Sequence, residues 1–254
     1  TARSKEFFET EGRQVAYNNL KKRGIDGIVV IGGDGSFKGA QKFSNEFDIP
    51  CIGIPGTIDK DIAGSDFTIG FDTACNTAIE AIDKIRDTAT SHDRLFFVEV
   101  MGRDAGFIAI NAGIGSAAAA ILIPERKTPI EDLIDKLKTR SKAKKSSNIV
   151  IVAEGGQSGS AQQIADEVKT FLPHYDIKVT ILGHLQRGGS PTSFDRLLAS
   201  KLGVAAVEGL LQGKYDMMAG MINNKVVYTP IVKAIVDDKE VDDEDLRIAN
   251  ILST

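Results

Sequence analysis

Short apolar runs recur along the chain, and the stretches between them carry apolar residues at helical spacing. Residues 28–31, 51–54, 95–101, 120–123, 148–153 and 178–182 read as strands. Residues 7–23 read as a helix whose last turn, Lys21-Lys22-Arg23, suits the negative helix end, with Gly24 free to take a left-handed cap. A second helix runs from the first strand to about Asn45. A third spans 72–90, with Ala78, Ile82 and Ile85 on one face and Glu80, Asp83 and Lys84 elsewhere. An alanine-rich helix precedes strand 120–123. Thr128-Pro129-Ile130-Glu131 reads as a capping box opening another, with proline at the first helical position. Further helices end near Phe171 and Gln212, two short strands flank Asn223-Asn224, and an acidic helix closes the chain. Strands alternating with helices across short loops predict an α/β fold with a mostly parallel sheet, covered on both faces.

Glycines and carboxylates gather where these strands end, the edge at which open α/β sheets bind ligands. Ile28-Val-Val-Ile-Gly-Gly-Asp-Gly-Ser36 and Ile54-Pro-Gly-Thr-Ile-Asp-Lys-Asp-Ile62 are the two chief stretches. Gly32, Gly33, Gly35 and Gly56 carry no Cβ, so the backbone can approach phosphates closely. In an extended segment Thr57, Asp59 and Asp61 would share one face. A hydroxyl and two carboxylates there suit phosphate contact, proton abstraction and a divalent cation. Gly102-Arg103-Asp104-Ala-Gly106 closes another strand on the same edge. The third informative loop is Gly183-His-Leu-Gln-Arg-Gly-Gly-Ser190, where His184 and Arg187 sit three residues apart and could grip one sugar phosphate. Arg140 with the run Lys142 to Lys145 reads as a solvated basic helix end.

Composition narrows the classes. The net charge of −4 over 254 residues argues against a general grip on nucleic acid. No run approaches the roughly 18 apolar residues of a membrane span, and no signal peptide opens the chain. Cys51 and Cys75 are too few for a disulfide scaffold, so they read as reduced, buried thiols of a cytoplasmic protein. The opening Thr-Ala-Arg-Ser reads as the middle of a fold, with an N-terminal portion expected before it.

Five motifs occur in a telling order: Ile31-Gly-Gly-Asp-Gly-Ser36, Pro55-Gly-Thr-Ile-Asp-Lys-Asp61, Val98-Glu-Val-Met-Gly-Arg103, Ala153-Glu-Gly-Gly156 and Leu182-Gly-His-Leu-Gln-Arg-Gly-Gly-Ser-Pro191. Over essentially its whole length the chain resembles the 6-phosphofructokinases. That resemblance implies transfer of the ATP γ-phosphoryl to the 1-hydroxyl of fructose 6-phosphate. Asp59 matches the general base, Thr57 the contact to the moving phosphoryl, and Arg3 and Arg103 the arginines that neutralise its charge. Arg3, Gly33, Asp34, Gly35, Ser36 and Gly39 match the ATP positions, and Asp34 and Asp61 those serving Mg2+. Met101, Gly102, Glu154, His184 and Arg187 match sugar-phosphate contacts. Arg94 and Lys178 match positions that reach a neighbouring subunit's site in a homotetramer. The implied architecture is two Rossmann-like three-layer lobes with the active site in the cleft between them. Residues 1–71 with 184–235 would form the ATP lobe, and 72–183 with 236–254 the fructose-6-phosphate lobe.

Pyrophosphate-using relatives tend to replace the glycines at positions 35 and 56 by Asp and Lys, so Gly35 and Gly56 favour ATP. The chain also departs from the pattern. Lys60 stands where Asn is usual, placing a cation between two carboxylates. Lys178 stands for Arg, and Ala119 for a glutamate of the effector site, although Arg86 matches there. The N-terminal strand and its Gly-Gly-Asp-x-Pro-Gly phosphate loop are absent, so the 254 residues alone are expected to bind ATP poorly. The competing readings are a pyrophosphate-dependent enzyme, a non-catalytic regulatory subunit, and a lipid or NAD kinase sharing only the GGDG loop.

Overall fold

The computed structural model describes residues 4–88, 94–142, 148–156, 159–237 and 239–253. In chain order the first elements are α1 (Thr10–Lys22), β1 (Ile28–Gly32), α2 (Asp34–Phe47), β2 (Cys51–Pro55), α3 (Phe71–Thr88) and β3 (Arg94–Val100). Next come α4 (Phe107–Gly115), β4 (Ala120–Leu122), α5 (Ile130–Lys142), β5 (Ile149–Ala153), α6 (Ala161–Phe171) and β6 (Asp176–Ile181). The last are α7 (Ser193–Leu211), β7 (Met217–Ile222), β8 (Lys225–Pro230), α8 (Ile231–Val236) and α9 (Asp243–Leu252). The chain forms two units: residues 1–57, 61–69 and 193–239, and residues 58–60, 70–192 and 240–254.

The first unit holds a sheet in the order β1-β2-β7-β8, parallel except for the β7–β8 hairpin. Asn223 and Asn224 turn that hairpin with φ of 49° and 63°, a left-handed pair that asparagine tolerates. Strand alternation sends Cys51 and Met218 toward Phe37 and Ala40 of α2 and Ile231 and Ala234 of α8. Ile52, Ile54, Ala219 and Met221 face Leu198, Leu202 and Ala206 of α7. A Cβ on Gly53 would lie 2.7 Å from the Phe37 ring, so this glycine is what admits the ring to the sheet.

The second unit holds an all-parallel sheet in the order β4-β5-β3-β6. Phe96, Val98, Ile149 and Ile151 pack under α3 and α4. On the other face Leu95, Phe97, Val150 and Val152 pack under α5 and α6. Each unit is thus a helix–sheet–helix sandwich, the α/β architecture with mostly parallel sheets that the alternation of elements predicts.

Several local readings change. Residues 7–23 do not form one helix: a 3-10 turn at Lys5–Phe8 precedes α1. The break has a cause in Arg13, whose buried guanidinium donates to the carbonyls of Phe7 (2.9 Å) and Phe8 (2.6 Å) and to both carboxylate oxygens of Glu46. Gly24 does take the left-handed cap, at φ 64°, with its N–H on the Lys21 carbonyl. α5 opens at Ile130, one residue past the expected proline. A capping box is formed instead at α6, between Ser160 and Gln163. Much of the alanine run, 117–119, follows α4 rather than lying in it, and Ala117 turns the chain at φ 47°. Arg140 is not a solvated helix end: it is buried and donates to the Ser253 carbonyl at 2.6 Å. Residues 143–145 of the basic run lie outside the described residues. Residues 184–192, expected with the first lobe, group with the second unit. Gln186 there bonds Met101, and Thr192 bonds Thr73 and Asp72. Both cysteines are buried free thiols. No described helix is long and apolar enough to cross a membrane.

Candidate active site

In the first unit β1 ends at Gly32 and α2 begins at Asp34, leaving one residue of connection. Gly33 is the N-cap, and its carbonyl accepts the N–H groups of Ser36 (3.0 Å) and Phe37 (3.1 Å). Asp34 is therefore the first helical residue, at the positive end of the helix dipole. Its Oδ2 accepts from Lys38 Nζ at 2.9 Å, while its buried Oδ1 has no hydrogen-bond partner among the described residues. A Cβ on Gly32 would lie 2.3 Å from Ser36 Oγ, and one on Gly33 would lie 3.4 Å from Thr57 Cβ. The GGDG turn and Thr57 are thus side by side.

The two glycines read as room for a nucleotide differ. A Cβ on Gly35 would enter open space, whereas one on Gly56 would press on Ile31 Cγ2 at 3.0 Å and on the Gly32 backbone. A side chain at 56 would thus have to displace Ile31 slightly, and the Gly56 N–H donates to the Gly32 carbonyl at 2.9 Å. Gly39 lies under the Phe7 ring, its Cβ position 3.7 Å away. Arg3 lies outside the described residues.

Residues 57–61 do not run extended. The backbone bends at Ile58 and Asp59, and Lys60 is left-handed at φ 59°. The strand alternation from which a shared face for Thr57, Asp59 and Asp61 is expected therefore does not apply to this segment. The Lys60 side chain is half-buried. Its ammonium lies over the Phe71 and Phe107 rings, 4.9 and 5.5 Å from their centroids.

The remaining candidates belong to the second unit. Beyond β3 the chain passes through two unusual conformations, Gly102 at φ 153° and Arg103 at φ 59°. Side chains from elsewhere hold it there. Gln186 Oε1 accepts the Met101 N–H at 2.8 Å, and Glu154 Oε1 accepts those of Gly102 (3.2 Å) and Arg103 (2.9 Å). A Cβ on Gly155 would lie 2.4 Å from the Arg103 carbonyl, so Gly155 permits that close approach. Three consecutive N–H groups are thus satisfied by side chains, and the Arg103 side chain projects into solvent.

His184 and Arg187 lie in a 3-10 turn, Gly183–Arg187, and both are exposed. At three residues per turn they eclipse one another, which brings them to one face as their spacing suggests. Gln186 was not among the sequence candidates. It is 1% exposed, and its Nε2 has no hydrogen-bond partner among the described residues. Its one sequence signal is its place between His184 and Arg187, on the opposite side of a three-residue turn.

Arg94, which pairs with Asp176 in the β3–β6 register, and Lys178, two residues further along β6, share the carboxylate of Asp176. Lys178 Nζ is 2.9 Å from Oδ1 and Arg94 Nε 3.7 Å from Oδ2. The Lys178 hydrogen bond, chiefly, holds the Asp176 carboxyl below the usual carboxylate range. At the effector positions Ala119 is fully buried, and Arg86 donates to the Ser116 carbonyl. A glutamate at 119 would put an anion into an apolar cluster of Leu95, Phe97 and Val150.

No group of three or more His, Cys, Asp or Glu side chains placed to hold a metal occurs among the described residues. Mg2+ does not demand one, since it commonly takes one or two carboxylates and completes its shell with phosphate and water. Asp34 fits that role: its buried Oδ1 is an acceptor whose hydrogen bonding the described residues leave unmet. Asp61, in the same unit, also buries its Oδ1. A helix N-terminus, an open glycine position and a hydroxyl beside it form an anion site of the kind that takes phosphates.

The sequence model of the family described as Phosphofructokinase matches residues 1–210. The chain is 54% identical over 253 residues to ATP-dependent 6-phosphofructokinase 2 of Bacteroides thetaiotaomicron, which covers 100% of this chain and 78% of that protein. It is 48% identical over 253 residues to ATP-dependent 6-phosphofructokinase 1 of Thermus thermophilus, with the same coverage. Among solved structures, phosphofructokinase from Saccharomyces cerevisiae superposes with a TM-score of 0.86 at 33% identity, over 92% of this chain and 35% of that one. The pyrophosphate-dependent phosphofructokinase from Marinobacter aquaeolei superposes at 0.82 and 25% identity, over 99% and 72%. The chain therefore spans about a third of the yeast protein and nearly four fifths of the bacterial relatives.

Proposed function

The chain belongs to the phosphofructokinase family, and from that premise we propose that it transfers the γ-phosphoryl of Mg-ATP to the 1-hydroxyl of fructose 6-phosphate. The observation that carries this reading is the open position at Gly35 on the N-terminus of α2, whose N-cap Gly33 lies beside Thr57. Orphan N–H groups and the helix dipole there favour a phosphate chain. Gly33, Gly35, Ser36 and Gly39, with Arg3, line the nucleotide's place.

Asp59 accepts the proton of the 1-hydroxyl as it attacks, and Thr57 holds the moving phosphoryl. Arg103 and Arg3 neutralise its spreading charge, which positioning and electrostatics must accomplish because the protein makes no covalent bond to it. Asp34 and Asp61 would hold Mg2+, which supplies charge neutralisation across the phosphates. Met101, Gly102, Glu154, His184 and Arg187 hold the sugar phosphate. Glu154 serves first by fixing the 102–103 backbone that aims Arg103. Arg94 and Lys178 serve a neighbouring subunit of a homotetramer, and the proposed setting is the cytoplasm, where buried thiols stay reduced.

The donor is ATP rather than pyrophosphate. Of the two glycines that bear on this choice, Gly35 is the informative one, because a Cβ there would meet nothing within 4 Å, whereas one on Gly56 already meets Ile31.

The test is fructose 6-phosphate phosphorylation by the protein at its relatives' full length, with ATP or pyrophosphate, and with Asp59→Asn as the blank. Turnover with ATP is expected to fall on the order of 100-fold or more in the variant, with the fold intact by circular dichroism. Near-normal turnover by Asp59→Asn, or turnover with pyrophosphate alone, would overturn the assignment.

A further inference from the structure

Lys60 is where this chain differs from the usual asparagine, and it sits between the proposed base Asp59 and the proposed metal carboxylate Asp61. Two observations at this position belong together. Its backbone is left-handed at φ 59°, a conformation asparagine tolerates and lysine enters only at a cost. Its side chain is laid along two aromatic rings, with Nζ 4.9 Å from the Phe71 centroid and 5.5 Å from that of Phe107. Both rings are buried, 7% and 6% exposed, and belong to the apolar cluster under α3 and α4. Phe71 begins α3 and Phe107 begins α4, so the cation bridges the starts of two helices of the second unit, to which Lys60 itself belongs.

We propose that Lys60 is a positioning residue for Asp59, acting through this contact with two rings. A cation over two ring faces is attracted by both quadrupoles. Those contacts act against the return of φ to negative values, and so hold the backbone next to Asp59. If the anchor is lost, the backbone at Lys60 is free to leave the left-handed region, and the adjacent carboxylate that takes the hydroxyl proton is redirected. Lys60 itself touches no reacting atom in this account.

This inference rests on the proposed phosphofructokinase reaction, and the experiment separates the two. Full-length protein is assayed as wild type, Lys60→Met, Lys60→Arg, Phe107→Leu and the Lys60→Met/Phe107→Leu double variant, with kcat and both KM values measured. Lys60→Met keeps the stem without the charge, and kcat is expected to fall about 10- to 100-fold with both KM values held within about twofold, the signature of a misplaced catalytic group. Lys60→Arg restores most of the turnover, because a guanidinium also sits on ring faces. Phe107→Leu lowers kcat in the same way, and the double variant is no worse than Lys60→Met alone, since both remove one contact.

Wild-type kcat in Lys60→Met would overturn the proposal. So would a matching rise in KM for fructose 6-phosphate, which would make Lys60 a substrate contact. Additive losses in the double variant would show that the ring is not what Lys60 acts through. Should Lys60→Met fail to fold, the comparison of Lys60→Arg with Phe107→Leu decides by the same criteria. An inactive wild type would instead overturn the reaction assigned above.

Discussion

The two sheets are built alike and covered unequally. In β5 of the second unit every residue of Ile149–Ala153 is buried, with helices on both faces. In β1 of the first unit, Ile28–Gly32 is just as apolar, yet every second residue is exposed and Ile31 is 65% accessible. The difference continues on α7. Its inner face, with Leu198, Leu202 and Ala206, is buried, while Leu197, Val204, Val207 and Leu211 form an outer apolar stripe that is exposed among the described residues. An apolar run therefore tells which segments can be buried, and the partners present decide which ones are.

The comparison is sharpened most by truncating equivalent side chains in the two sheets. Ile151→Ala removes a fully buried side chain between helices and is expected to cost about 2–5 kcal/mol, read as a lowered urea midpoint. A loss below about 1 kcal/mol would show that the second sheet is more loosely packed than its burial implies.

The next effect is in β2 and depends on pH. Burial chiefly, then Asp216 with Sγ 3.2 Å from its Oδ1, pushes the Cys51 thiol up to about 12 from 9.0. Because the folded state holds the proton more tightly, this contribution is complete below pH 9 and is lost as pH rises toward 12. Its limiting slope is about 1.4 kcal/mol per pH unit. The unfolding midpoint of the wild type should therefore fall more steeply between pH 9 and 11 than that of Cys51→Ala. Parallel curves would remove Cys51 as the cause.

The smallest effect is expected at the exposed position: Ile31→Ala should change stability by no more than about 0.5 kcal/mol. A cost close to that of Ile151→Ala would mean that Ile31 is covered in solution, and the contrast between the two sheets would disappear.

What the sequence made legible follows from the same physics. Strand after strand could be read from apolar runs, and the GGDG turn from glycines packed against named neighbours, because those signals are local. The bend at Lys60 was illegible, since nothing about lysine announces a positive φ; it is held by rings 11 and 47 residues further along. Arg103 shares that left-handed geometry and owes it to Glu154 and Gln186, again distant in sequence. Gln186 looked like filler between a histidine and an arginine, yet it is the member of that trio whose side chain is buried. Arg13 was hidden for the opposite reason: a basic residue on an exposed-looking helix gives no sign that it will bind two carbonyls and a glutamate.

The state of the two cysteines has a practical consequence for spectroscopy. Both are buried away from maleimide reagents, and burial keeps the Cys51 thiol protonated at neutral pH. A pair of cysteines introduced at exposed positions, one in each unit, would then take fluorophores or spin labels without any native residue being removed.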